Sequence, residues 1–191
     1  MKPSRISRLG YALLGLLQPQ PASGYELRKI FSATSMKTYS DSPGAIYPAL
    51  ARLEQQRLIR STVEEGAGLR RRRIFRLTPQ GLSELRKWIT RPVTLEELVW
   101  RQEEILLRFA FSEGVAGPSA PRALLKSLEA VLREHLPAAR AELESLPSKI
   151  PASARLACEY GLSSYECLLK WTRYAIAVYE KAGAKGTRRA T

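Results

Sequence analysis

Apolar positions in the first ninety residues fall into three short helical stripes followed by two runs of strand character. Ile6, Leu9, Leu13, Leu16 and Leu17 recur at the spacing that lines one helix face, and the run stops at Gln18-Pro19-Gln20-Pro21. A second helix is predicted from Ser23, whose spacing to Glu26 is that of a capping box, with Tyr25, Leu27, Ile30 and Phe31 as its apolar cover. The third carries Ile46, Leu50 and Leu53 on one face, and Ser42-Pro43 reads as an N-cap followed by proline at the first helical position. Pro48 is out of place in that helix, because it removes a hydrogen bond to the carbonyl four residues back and crowds the turn. Next, IRSTVEE and LRRRRIFRLT flank Gly66-Ala67-Gly68, which predicts a hairpin. Three helices and a hairpin make a winged helix-turn-helix.

Thr78-Pro79 restarts helix, and Leu82, Leu85 and Ile89 continue it to a linker at Thr90-Arg91-Pro92. Thr94 and Glu97 form another capping-box pair, from which LEELVWRQEEILLRFAF predicts one helix to Ser112, ended by Gly114 and Gly117-Pro118. A further helix carries Leu124, Leu128, Val131 and Leu132, with Pro137 as a kink, and Pro147 and Pro151 bracket a loop. The last helix, about Ala152 to Ala182, repeats small or apolar groups at Ala157, Gly161, Ser164, Leu168, Trp171, Ala175 and Val178. Alternating three- and four-residue steps are the pattern of coiled-coil packing, so this seam is the expected interface with a second copy of the chain. The expected fold is mainly α with a small β-hairpin. An N-terminal winged helix spans 1–90, a C-terminal helical dimerisation domain 94–182 and a basic disordered tail 183–191.

Charge separates the halves. Of the net +13, Met1 to Arg91 holds 17 Lys and Arg against 6 Asp and Glu, and the remainder 14 against 12. Such asymmetry points to a polyanion partner for the N-terminal half, nucleic acid or an anionic membrane surface. The arginines lie on a hairpin rather than on an amphipathic helix, which disfavours the membrane. The opening MKPSRISRLGYALLGLL resembles a secretory signal, but it lacks a clear cleavage site and carries the helical stripe, so it reads as a structural helix. No apolar stretch approaches the roughly 20 residues that cross a bilayer, and a cytoplasmic location is expected. Cys158 and Cys167 are expected to be reduced core residues, with no ligand spacing for a metal. The single histidine, His135, has no acidic or cysteine partner at useful spacing, no catalytic motif is present, and Glu96, Glu97, Glu103 and Glu104 read as solvent faces of a helix. An enzyme is not expected, and no cofactor is implied.

On the third helix, Tyr47, Pro48, Ala51, Arg52 and Gln55 point away from the apolar stripe. Small and hydrogen-bond-capable groups suit a helix in the major groove, where arginine grips guanine O6/N7 and glutamine grips adenine N6/N7. Lys37, Ser42, Gly44 and Tyr47 lie at or before the helix entrance, where phosphate contacts set register. A solvated helix face would have similar composition. Arg70, Arg71, Arg72 and Arg73, with Arg76 close behind, favour DNA, because so dense a run repels itself without an anion nearby. The alternative to a sequence-specific regulator is a non-specific basic architectural protein without an effector.

SGYEL near Ser23, GAIYPALARLEQQRLI from Gly44 to Ile59 and RRRRIFRLTPQG from Arg70 to Gly81 resemble the PadR family of transcriptional regulators, of the longer type with a three-helix C-terminal domain. The resemblance implies a DNA-binding winged helix, a helical dimerisation domain, a pseudo-palindromic operator and repression relieved by a small ligand. It places Tyr47 and Pro48 at the DNA-facing start of the recognition helix. Trp100 and Trp171 are the candidates for stacking on a flat aromatic or hydrophobic effector, with core packing as their alternative role. One departure is Arg57, which stands where the family commonly has a glycine suited to a left-handed helix cap.

Overall fold

The structure is a computed structural model that describes residues 6–34, 43–65 and 71–187. Its chain divides into two compact units. The first takes the chain up to Ile89 together with Ala110–Pro118, and the second takes Thr90–Phe109 and everything from Ser119.

The first unit opens with α1 (Arg8–Leu17), capped by Ser7, whose hydroxyl accepts from the Gly10 N–H. The strand β1 (Ala22–Ser23) leads into α2 (Gly24–Ala33), where Ser23 and Glu26 close the predicted capping box in both directions. Then come α3 (Pro43–Gln55), β2 (Ile59–Glu65), β3 (Arg71–Leu77) and α4 (Pro79–Thr90). Thr78 caps α4, its hydroxyl accepting from the Gly81 N–H at 3.0 Å. The antiparallel sheet has the order β1-β3-β2. The hairpin was expected; its third strand was not, because two residues carry no periodicity. The core is built from Leu13, Leu14 and Leu17 of α1, Leu27 and Phe31 of α2, Ile46, Leu50 and Leu53 of α3, and Ile59 and Phe75 of the sheet. Ala110–Pro118, which the sequence places with the C-terminal region, packs here instead. Phe111 lies so close to Gly15 that a Cβ there would meet the ring at 2.4 Å. Gln18 donates to the Gly114 carbonyl at 3.0 Å, and Arg86 donates twice to the Val115 carbonyl.

Arg57 takes a left-handed conformation, with φ of 61°. Its N–H donates to the Glu54 carbonyl at 2.8 Å and the Leu58 N–H to the Leu53 carbonyl at 2.9 Å. This is the Schellman pattern, completed by the burial of both Leu53 and Leu58. An arginine thus occupies the conformation that favours glycine.

The second unit contains α5 (Leu95–Trp100), the first part of α6 (Gln102–Ala116), α7 (Ala120–Glu144) and α8 (Ala152–Thr187). Thr94 and Glu97 form the predicted capping box. The single helix expected from there to Ser112 is broken at Arg101, which has φ of −147° and ψ of 38°. Helix α6 then runs through Gly114 to Ala116 and ends at Gly117, whose φ is +89°. Leu98, Ile105, Leu124, Leu128 and Leu132 form the core with Val93. Helix α7 runs on through Pro137, and α8 extends to Thr187, beyond the expected end at Ala182 and into the segment expected to be disordered. No helix among the described residues is long and apolar enough to cross a membrane.

Two expectations about side chains do not hold. Glu97 and Glu104 are not solvent faces: Glu97 is 2% exposed and Glu104 is buried. Both Arg108, at 0% exposure, and Arg91 pair with Glu97, at 3.1 Å and 2.5 Å. In a continuous helix, residues 97 and 108 would lie about 16 Å apart, so the break at Arg101 is what lets them meet. Burial pushes the Arg108 pKa below the usual guanidinium value, and the Glu97 carboxylate pulls it back. The cysteines are not core residues either, since Cys158 and Cys167 are exposed free thiols on α8.

Candidate nucleic-acid interface

The interface candidate is built on α3. Its Ile46, Ala49, Leu50 and Leu53 are buried, so the helix is held with Gly44, Tyr47, Pro48, Ala51, Arg52 and Gln55 exposed on the other side. Pro48 sits on the exposed side of an uninterrupted helix. Having no N–H, it makes no hydrogen bond to the Gly44 carbonyl four residues back. Tyr47 is half-exposed and lies against Gly24, where an added Cβ would come within 2.6 Å of its ring. The glycine of the SGYEL stretch thus permits close approach of α2 to the entrance of α3.

Strand β3 runs beside this face. Ser23, Gly24 and Tyr25, then Tyr47 and Ala51, then Arg71, Arg72, Arg73 and Phe75 line one groove of about 660 Å³. Three arginines and two exposed tyrosines in one concave surface are chemistry that suits a phosphodiester backbone. The sequence reading placed Tyr25 in the apolar cover of α2. It is exposed instead, with the Arg28 guanidinium 5.7 Å from its ring centre. The signal was available, because Tyr25 lies off the stripe made by Leu27 and Phe31.

The wing is less cationic than its arginine run suggests. In the register of the hairpin Glu65 lies opposite Arg71 and Glu64 opposite Arg72, and Glu64 also pairs with Arg76 at 2.9 Å. Arg73 is engaged as well, pairing with Glu54 at 2.5 Å. Glu26 on α2 is held below the ordinary carboxylate range, first by the Ser23 N–H, then by the Ser23 hydroxyl, against a small opposing effect of burial, with Arg72 adding to the lowering. Lys37, Ser42 and Arg70, also expected at the interface, lie outside the described residues.

The effector and dimer candidates belong to the second unit. Trp100 is 77% exposed at the end of α5. Trp171 is half-buried on α8 and meets Phe109 edge-on at 5.6 Å, within a cluster that includes Leu125, Ala175 and Ile176. Leu168 packs on the core around Leu98 and Leu128. The C-terminal part of the expected dimer seam, Leu168, Trp171 and Ala175, is therefore used inside the chain. Ala157 is exposed and Gly161 and Ser164 are partly buried, and nothing lies within 4 Å of a Cβ built on Gly161. The apolar side left exposed is the neighbouring one, with Leu156, Tyr160, Tyr174 and Val178.

Residues 13–87 match the family described as Transcriptional regulator PadR-like family. The Negative transcriptional regulator PadR of Bacillus subtilis (strain 168) is 32% identical to this chain over 105 residues, which are 54% of this chain and 56% of that protein. The match thus spans little more than half the length of that relative. The crystal structure of Bacillus subtilis PadR in complex with operator DNA is similar at 21% identity and a TM-score of 0.45, covering 91% of this chain and 99% of that one. The structure of the same protein in complex with p-coumaric acid is similar at 20% identity and a TM-score of 0.41, covering 93% and 98%.

Proposed function

We propose that the chain is a cytoplasmic, homodimeric regulator that binds a pseudo-palindromic operator and represses until a flat aromatic or hydrophobic ligand releases it, a reading supported by the match of residues 13–87 to the PadR-like family of transcriptional regulators. The observation that carries this reading is the exposed face of α3 beside the arginine-lined groove. Arg52 and Gln55, in the later turns of α3, read base edges. Gly44, Tyr47 and Pro48 at its entrance and Arg71 and Arg72 on the wing hold the backbone. The second copy packs along α8 through Leu156, Tyr160, Tyr174 and Val178, with Ala157, Gly161 and Ser164 beside them. Tyr160 and Tyr174 stand two heptads apart, which suits a helix-on-helix seam. The ligand stacks on Trp100 and favours a dimer with the wrong half-site separation, so its effect is bounded by its differential affinity for the two states.

The test is competition on DNA from upstream of the protein's own gene. A regulator holds its operator against random duplex by roughly a thousandfold or more. An architectural binder shows no such preference, and that result would replace the proposal. A derepressing compound should quench tryptophan fluorescence and leave the protein dimeric. Trp100→Ala should keep DNA binding and lose the response.

A further inference from the structure

Arg73, Ser61 and Glu54 close a ring of contacts across three elements. The Arg73 Nη2 donates to Glu54 Oε2 at 2.5 Å and its Nε donates to Ser61 Oγ at 2.8 Å. Ser61 in turn donates to Glu54 Oε1 at 2.6 Å, so both carboxylate oxygens are taken. The Arg73 guanidinium also lies 5.3 Å from the centre of the Phe75 ring, beside the core. Glu54 stands in the last turn of α3, where a carboxylate faces the negative end of the helix dipole and is unfavourable unless a cation offsets it. The position therefore makes electrostatic sense only with its partner on β3.

We propose that Glu54 is a positioning residue that latches strand β3 of the wing to the recognition helix and withdraws Arg73 from the phosphate-binding charge. This rests on the DNA-binding reading above. The latch sets the angle between the base-reading face of α3 and the backbone-holding wing, and so converts two DNA contacts into one rigid template. Its removal trades specificity for undirected affinity. Glu54→Gln leaves Arg73 free to meet a phosphate, and the dependence of random-duplex affinity on salt steepens by about one unit of log–log slope. Operator preference over random duplex falls at the same time by roughly tenfold, the effect of losing about one base pair of readout.

The experiment measures operator and random-duplex affinity against salt for the wild type, Glu54→Gln, Arg73→Ala and the exchanged pair Glu54→Arg with Arg73→Glu, with thermal melts confirming that each variant folds. The latch predicts a steeper slope for Glu54→Gln, an unchanged slope with reduced preference for Arg73→Ala, and preference restored toward wild type in the exchanged pair. A residue that merely stabilised the fold would move the melts and leave the slopes alone, and that outcome would overturn the proposal. So would a slope reduced by one in Arg73→Ala with operator preference unchanged, which would make Arg73 an ordinary phosphate contact. Wild-type protein that ignored duplex DNA would sink the function itself, and the latch with it.

Discussion

The two units treat charge in opposite ways. In the first, arginines crowd the hairpin but stay at the surface, answered by Glu64 and Glu65 across the strands and by Glu54 from α3. In the second, with nearly balanced composition, Arg108 is wholly enclosed and held by Glu97, and its Nη2 also donates to the Arg91 carbonyl. Net charge locates the surface suited to a polyanion, but it does not locate the charges on which the fold depends. The surface ion pairs of the wing are each worth about 0–1 kcal/mol. A buried pair with one partner removed costs far more, because the remaining charge is stranded.

The largest effect should therefore come from the less charged half. Glu97→Ala leaves the Arg108 and Arg91 guanidiniums without their shared carboxylate and deletes the bond from the Thr94 N–H. Denaturant titration should show a loss of about 3–5 kcal/mol. Alanine at Glu64 on the wing should change stability by no more than about 1 kcal/mol. Comparable losses at the two sites would erase the contrast between the units.

Next in size is self-association. Tyr160 and Tyr174 are 76% and 68% exposed in the single chain, and large aromatics at an interface centre contribute about 2 kcal/mol or more each. Tyr160→Arg should turn a particle of about twice the 21.4 kDa chain mass into a monomer in sedimentation at low micromolar concentration, with unchanged helical content. A variant that still sedimented as the dimer would move the interface off this face of α8. Leu168→Arg should instead damage the fold of the unit, since Leu168 packs on its core.

What could be read from the sequence follows the range of the interactions involved. The capping boxes at Ser23–Glu26 and Thr94–Glu97 and the stripe of Ile46, Leu50 and Leu53 are local, and each stands as expected. The left-handed Arg57 was raised only through the glycine that the resembled family carries there, and an arginine at that position left the cap open until its geometry was seen. The helix break at Arg101 was not, because its reason is a pairing between Glu97 and Arg108 that only tertiary structure reveals. Periodicity identifies an apolar stripe, but Leu168, Trp171 and Ala175 show that a stripe can be covered by the chain's own helices. On α3 the exposed face was readable, whereas the pairing of Arg73 depends on the register of β2 against β3 and on the reach of Glu54.

Within the first unit the same contrast separates readout from positioning. Arg52→Ala or Gln55→Ala should weaken operator binding by about 1–3 kcal/mol and relax preference at one base position. Arg71→Ala and Arg72→Ala should weaken operator and random duplex alike, each lowering the salt slope by about one. Wing substitutions that altered base preference more than the α3 substitutions would reverse these roles.

The smallest effect tests the cap that joins α3 to the sheet. Arg57 holds φ of 61°, a region that costs a residue with a Cβ about 1 kcal/mol or somewhat more. Glycine would relieve that strain, but it also gives the unfolded chain more freedom, which takes back about 0.4–1 kcal/mol. Arg57→Gly should therefore raise stability by only a few tenths of a kcal/mol, up to about 1. Arg57→Ala keeps both the Cβ and the strain, and should leave stability near that of the wild type. If the arginine is retained for its charge near DNA, Arg57→Gly and Arg57→Ala should lower the salt slope equally while differing in stability. Equal stability of the two variants would mean that the left-handed cap carries no strain worth relieving. A slope unchanged in both would mean that Arg57 meets no phosphate.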